Sequence, residues 1–94
     1  MKIVEIIWLD RFVQKIEQKH AVGLAEVEQL FANQPTVQFA ERGTVPGEDL
    51  YSARGQADSG RYLVVFFLYK RRGRALVVSA RDMNDREKKS YGKK

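Results

Sequence analysis

The side chains able to do chemistry in this 94-residue chain are cations, aromatics, a few carboxylates and one imidazole, His20. With no Cys and a single His, a zinc site lacks its usual ligands. Magnesium needs clustered oxygen ligands, yet Asp82, Asp85 and Glu87 alternate with Arg81, Arg86, Lys88 and Lys89. That alternation favours ion pairs, so no metal is expected. No Walker-A loop, GxGxxG or GxSxG occurs, which removes glycine-loop nucleotide binding and a nucleophile elbow. No cofactor is expected either.

What remains suits a phosphodiester. RNA can be cut without a metal when its 2′-hydroxyl attacks the neighbouring phosphorus. One group must take the hydroxyl proton, another protonate the leaving oxygen, and cations hold the developing charge. An imidazole ordinarily titrates near neutrality, so His20 suits either proton transfer. Arg61 and Arg81 offer planar forks for phosphate. Tyr91 could donate a proton or stack on a base, and Glu87 could act as base or orienting group. Each also has a structural reading. His20 closes a helix, Arg81 has Asp82, Asp85 and Glu87 for ion pairing, Glu87 suits a helix cap, and Tyr91 suits a core aromatic with a wet hydroxyl.

The charge is unevenly placed. Residues 1–69 carry a net −2 and residues 70–94 a net +7, within a total of +5. Such a basic C-terminal quarter points to a polyanion, with Lys70, Arg71, Arg72, Arg86, Lys88 and Lys89 as RNA contacts. An acidic protein partner, or a tail that only aids solubility, would need the same charge. Glu5 and Asp10 interrupt the apolar N-terminus, no cleavage site follows, and no run is long enough to span a bilayer. The chain reads as cytoplasmic, not membrane-bound.

The elements that must position these groups follow from periodicity. Residues 2–8 read as a strand. Asp10 is an expected N-cap for a helix whose Phe12, Val13, Ile16 and His20 share one face. Residues 24–33 form a second helix, with Leu24, Val27, Leu30 and Phe31 as its apolar stripe and Asn33 and Pro35 as its stop. Residues 36–41 alternate, placing Val37 and Phe39 inward. A loop over 42–49 leads to a short polar strand, 50–56. The runs 61–70 and 74–81 are nearly continuous in apolar residues, so both predict central, covered strands joined by a tight turn, with Phe66, Phe67 and Tyr69 in the core. Trp8 is expected there too. Asn84 and Glu87 form a capping box that opens a helix over about 85–91, with 92–94 frayed. The order β-α-α-β-β-β-β-α makes one α+β domain: a mostly antiparallel sheet, two N-terminal helices packed on it, and a short C-terminal helix.

Three segments carry a resemblance to the BrnT family of type II toxins, ribonucleases of bacterial toxin–antitoxin pairs. The first is Trp8 to Val22, with Lys19-His20-Ala21-Val22 where the family has Lys-His-Gly-Val. The second is Gly60-Arg61-Tyr62-Leu63-Val64-Val65-Phe66. The third is Val78-Ser79-Ala80-Arg81-Asp82-Met83, followed by Glu87 and Tyr91. The resemblance implies a RelE-like fold, a metal-independent endoribonuclease that halts translation, and an antitoxin partner of the ribbon-helix-helix DNA-binding type. It places functional residues at Lys19, His20, Arg61, Arg81, Glu87 and Tyr91. Ala21 departs from the family's Gly, and Leu50 from a common Arg. The alternative is a non-catalytic RNA- or protein-binding module of the same fold.

Overall fold

The computed structural model describes residues 1–92. Its elements, in chain order, are β1 (Glu5–Ile7), α1 (Asp10–His20), α2 (Leu24–Ala32), β2 (Thr36–Glu41), β3 (Leu50–Gln56), β4 (Tyr62–Lys70), β5 (Arg74–Asp82) and α3 (Asp85–Gly92). The strands form one sheet in the order β1-β5-β4-β3-β2. Only β1 runs parallel to its neighbour; the other three pairings are antiparallel. This is the α+β architecture expected. β1 is shorter than the apolar run 2–8, because residues 1–4 precede its pairing with β5. Gly92 ends α3, and the rest of the expected frayed tail lies outside the described residues.

Helices α1 and α2 cover one face of the sheet. Ile16, Val22, Val27 and Leu30 pack there on Ala53, Leu63, Val65, Phe67, Ala75, Val77 and Ala80. These strand residues follow the period-2 alternation of a pleated sheet, except for a one-residue shift in β5 between Val77 and Ala80. Trp8, Val37, Tyr51 and Tyr69 lean on this core and are only half-buried. Phe39 is not inward: it is 59% exposed. It lies on the edge strand β2, touching Tyr51 edge-on.

The second face is less covered than the apolar runs of β4 and β5 imply. Val64 is buried there, but Phe66 and Leu68 are half-exposed. Phe66 therefore lies outside the helix-side core, while Phe67 is fully buried within it. Short α3 is the element added at the C-terminal end of β5.

A bulge in β5 decides which side chains reach each face. Phe67 pairs with Val77 and Phe66 with Ser79, so Val78 is an extra residue. Such an insertion exchanges the faces of everything beyond it. Ala75 and Val77 face the helices before the bulge, and Ala80 and Asp82 do so after it. Ser79 and Arg81 are thereby sent to the opposite face.

Two helix ends differ from expectation. Leu9, not Asp10, is the N-cap of α1, and no side chain caps that end. Phe12 and Val13 donate their backbone N–H groups to the Leu9 carbonyl instead, and Asp10 sits in the first turn where a carboxylate complements the helix dipole. At the other end Ala21 takes φ +52°, ψ +38°, the left-handed cap conformation, with its N–H on the Glu17 carbonyl. A Cβ is disfavoured there by about 1 kcal/mol. Ala21→Gly should therefore raise stability by about 0.5–1 kcal/mol in urea unfolding at unchanged m. A destabilised variant would refute the strain.

Candidate active site

Two polar clusters lie at the end of β5, on opposite faces of the sheet. The first surrounds Arg61. Its Nε donates to Asp82 Oδ1 at 2.7 Å and its Nη2 to Asp82 Oδ2 at 3.1 Å. Nη1 donates to Glu26 Oε1 and to the Ala21 carbonyl, both at 2.9 Å, and Nη2 reaches the His20 carbonyl at 3.3 Å. All five N–H donors of this guanidinium are engaged. The paired carboxylates, Asp82 first, raise its pKa, and Arg61 in turn lowers that of Asp82, with smaller attractions from Lys88 and His20. Glu26 also accepts the Gly23 N–H at 3.0 Å, closing the start of α2. Arg61 is thus a clamp joining the end of α1, the start of α2 and the end of β5. In this structure it presents no free fork to phosphate. His20 belongs to this cluster, on the helix side.

The second cluster stands on the other face. Arg54 pairs across strands with Val64, and Val64 with Arg81, so two arginines flank one buried valine in a single row. Above them lies Glu87 of α3. Arg81 Nη1 and Nη2 donate to Glu87 Oε1 and Oε2 at 2.8 and 2.9 Å, a fork-to-fork pair. The capping box forms as expected: the Asn84 N–H donates to Glu87 Oε1 at 2.9 Å, and the Glu87 N–H to Asn84 Oδ1 at 2.8 Å. Arg54 is held loosely, its Nη2 being 4.0 Å from Glu87 Oε2. Its Nε is buried without a hydrogen-bond partner, the one such side-chain atom among the described residues. A buried cationic donor without an acceptor is costly.

Hydrogen bonding to Arg81 holds the Glu87 carboxyl down to about 2, opposed by burial and helped by the Asn84 N–H and by the charges of Arg81 and Arg54. At neutral pH Glu87 is a weak base and a firm anchor. Because its folded pKa lies below its ordinary value of 4.5, its contribution is complete above about pH 4.5. That contribution is lost as pH falls toward about 2. Glu87→Gln should cost about 2 kcal/mol at pH 7 and flatten the acid limb of stability across that window. Unchanged acid unfolding would count against the pairing.

Arg81 and His20 therefore do not share a cleft, and the expected single active centre divides in two. The bulge supplies the reason: Arg81 and Asp82 are adjacent and point to opposite faces. Tyr91 stays with the second cluster, its ring meeting Tyr62 edge-on at 6.1 Å. Lys88 Nζ lies 5.9 Å from the Tyr62 ring centroid. Arg86 and Lys89 are exposed on α3, and Lys19 is exposed at the end of α1. The hairpin tip is remote, since Arg74 and Arg81 are seven residues apart along β5, roughly 23 Å. There Lys70 is paired with Glu48 at 2.9 Å, while Arg71 and Arg72 are exposed. Arg54 is the residue that sequence reading missed. Its signal is a charge inside a short strand, alternating with Ser52 and Gln56, but only strand register sets it beside Arg81.

No group of His, Cys, Asp and Glu able to hold a metal ion occurs among the described residues. No described helix is long and apolar enough to cross a membrane.

The fold and site define a small α+β protein: a mostly antiparallel sheet with paired helices on one face and an arginine pair on the other. The family model for the ribonuclease toxin BrnT of type II toxin–antitoxin systems matches residues 8–87, and the chain belongs to that family. It is an endoribonuclease toxin, with RNA as substrate and an antitoxin as partner. Among solved structures it is similar to the crystal structure of the Brucella abortus ribonuclease toxin BrnT. The TM-score is 0.60 at 19% identity, covering 87% of this chain and 99% of that one. That likeness extends the agreement to the fold. A search of curated proteins found no match.

Proposed function

We propose that this toxin cuts RNA without a metal, at a phosphate held between Arg54 and Arg81. The observation that carries the reading is the pair of guanidiniums on one face, Arg54 and Arg81 flanking Val64, with Arg81 held by Glu87 through two parallel bonds. As the 2′-hydroxyl attacks phosphorus its proton passes to solvent water, and the two guanidiniums stabilise the extra negative charge on the phosphate. Glu87 is a positioning residue that aims Arg81. Tyr91, across Tyr62 at the same end of the face, protonates the leaving 5′-oxygen. The exposed cations of α3, Arg86 and Lys89, and Lys88 beside them, attract the RNA backbone, as Lys19, Arg71 and Arg72 do from further off. The cleavage acts in the cytoplasm and halts translation, and the antitoxin is of the ribbon-helix-helix type.

Incubating the purified protein with RNA in EDTA tests this. Cleavage should persist in chelator and leave 2′,3′-cyclic phosphate ends. Loss of cleavage in EDTA, restored by magnesium, refutes the metal-free mechanism. His20 lies with the Arg61 clamp, so His20→Gln should leave the rate within about threefold. A hundredfold loss would return proton transfer to His20 and displace the Arg54–Arg81 site.

A further inference from the structure

We infer that the ring of Phe66 is a stacking platform for an unpaired base next to the scissile phosphate, making single-stranded RNA the substrate class. This rests on the reading that phosphate binds between Arg54 and Arg81.

Rows of cross-strand partners divide the face opposite α1 and α2. One row is Thr36, Arg54, Val64 and Arg81. The next is Gln38, Ser52, Phe66 and Ser79. Neighbouring rows on one face are two residues apart along each strand, about 6.7 Å. That matches the distance from a nucleotide's phosphate to its own or the adjoining base.

The second row holds one large aromatic ring, partly exposed and outside the helix-side core. Small hydroxyl side chains flank it on both neighbouring strands, and an exposed amide stands one strand further on. Ser52 is buried and Ser79 partly exposed, so the room beside the ring lies on its β5 side. The Arg81 guanidinium carbon lies 5.6 Å from the ring centroid, so the two rows meet at one cation. Guanidinium and phenyl surfaces both accept stacked bases, and the Ser79 hydroxyl and Gln38 amide are placed to meet a base edge. A base in a duplex has both faces covered by its neighbours, so only an unpaired one can lie on this ring. The Val78 bulge makes the juxtaposition, since it sets Ser79 opposite Phe66 and Arg81 opposite Val64.

Binding tests the platform separately from cleavage. The ligand is a fluorescent single-stranded RNA with 2′-deoxy sugars at the cut site, which cannot be cleaved. Single abasic positions are scanned across it. With the native protein, one abasic position should weaken binding about tenfold, as should Phe66→Leu with the intact strand, and the two losses should not add. Phe66→Tyr should restore affinity, and thermal unfolding should show both variants folded. Losses that multiply overturn the platform, as does equal affinity for a duplex of the same sequence. Unchanged RNA affinity in Phe66→Leu also overturns it and leaves this face to a protein. If the native protein binds as expected yet cuts no RNA, the platform stands and the proposed cleavage fails. If it cuts RNA but shows no abasic position coupled to Phe66, the reverse holds.

Discussion

Arg81→Ala lowers RNA cleavage at least tenfold, toward the hundredfold loss typical of removing one transition-state donor, and relieves growth arrest on induction. Two effects combine. The variant removes one of two cations at the phosphate, and it leaves Glu87, whose side chain is 11% exposed, with the Asn84 N–H and, as its neighbouring cation, Arg54 at 4.0 Å. Arg54 then collapses onto the free carboxylate and is lost to the substrate. Arg54→Ala should therefore show a similar loss, and the double variant little more than either single one. Arg81→Lys should not recover the rate, because a single ammonium cannot hold Glu87 through two parallel bonds. Single-turnover cleavage of the four proteins, with circular dichroism to show that each is folded, decides the matter. A fully active Arg81→Ala, or strictly multiplicative losses, removes the pair from the mechanism.

The second large effect is on folding. Arg61→Ala deletes five hydrogen bonds that tie the α1–α2 junction to the end of β5. Those to the exposed Asp82 count for little in water. The loss of bonds to Glu26 and to two helix-end carbonyls should cost about 2–3 kcal/mol. In a chain of this size that lowers the melting temperature by roughly 10–20 °C. Arg61→Lys should recover little of it, since the clamp needs a planar fork with donors on three nitrogens. Activity lost by Arg61→Ala should return on cooling to a temperature where the variant is folded. A stable variant that is inactive at every temperature would restore Arg61 to the catalytic site.

Local patterns made much of this protein legible. The stripes of α1 and α2, the stop at Asn33 and the Asn84–Glu87 capping box depend on neighbours three or four residues apart, and such patterns hold wherever the helix packs. The hairpin turn at Arg71–Gly73 is local as well: Gly73 sits at φ +74°. A Cβ there would come within 2.8 Å of the Lys2 carbonyl oxygen. The basic C-terminal quarter follows from composition. Phe39 was misread because alternation shows that two faces differ, not that a helix reaches the edge strand to cover one of them.

The site itself was legible in its residue types and not in its grouping. Arg81 and Glu87 stand close in sequence and pair in space, and Tyr91 lies one turn further along the same helix, against Tyr62. Arg54 joins them only because β3, β4 and β5 align Arg54, Val64 and Arg81 in one row. His20 and Arg61 separate from them because one extra residue, Val78, reverses the alternation in β5. The chain by itself determined its elements, its charge and its family, all of which rest on short-range or compositional physics. Only the tertiary structure decided which cations share a face, because facing depends on a strand register set jointly by partners far apart in the chain.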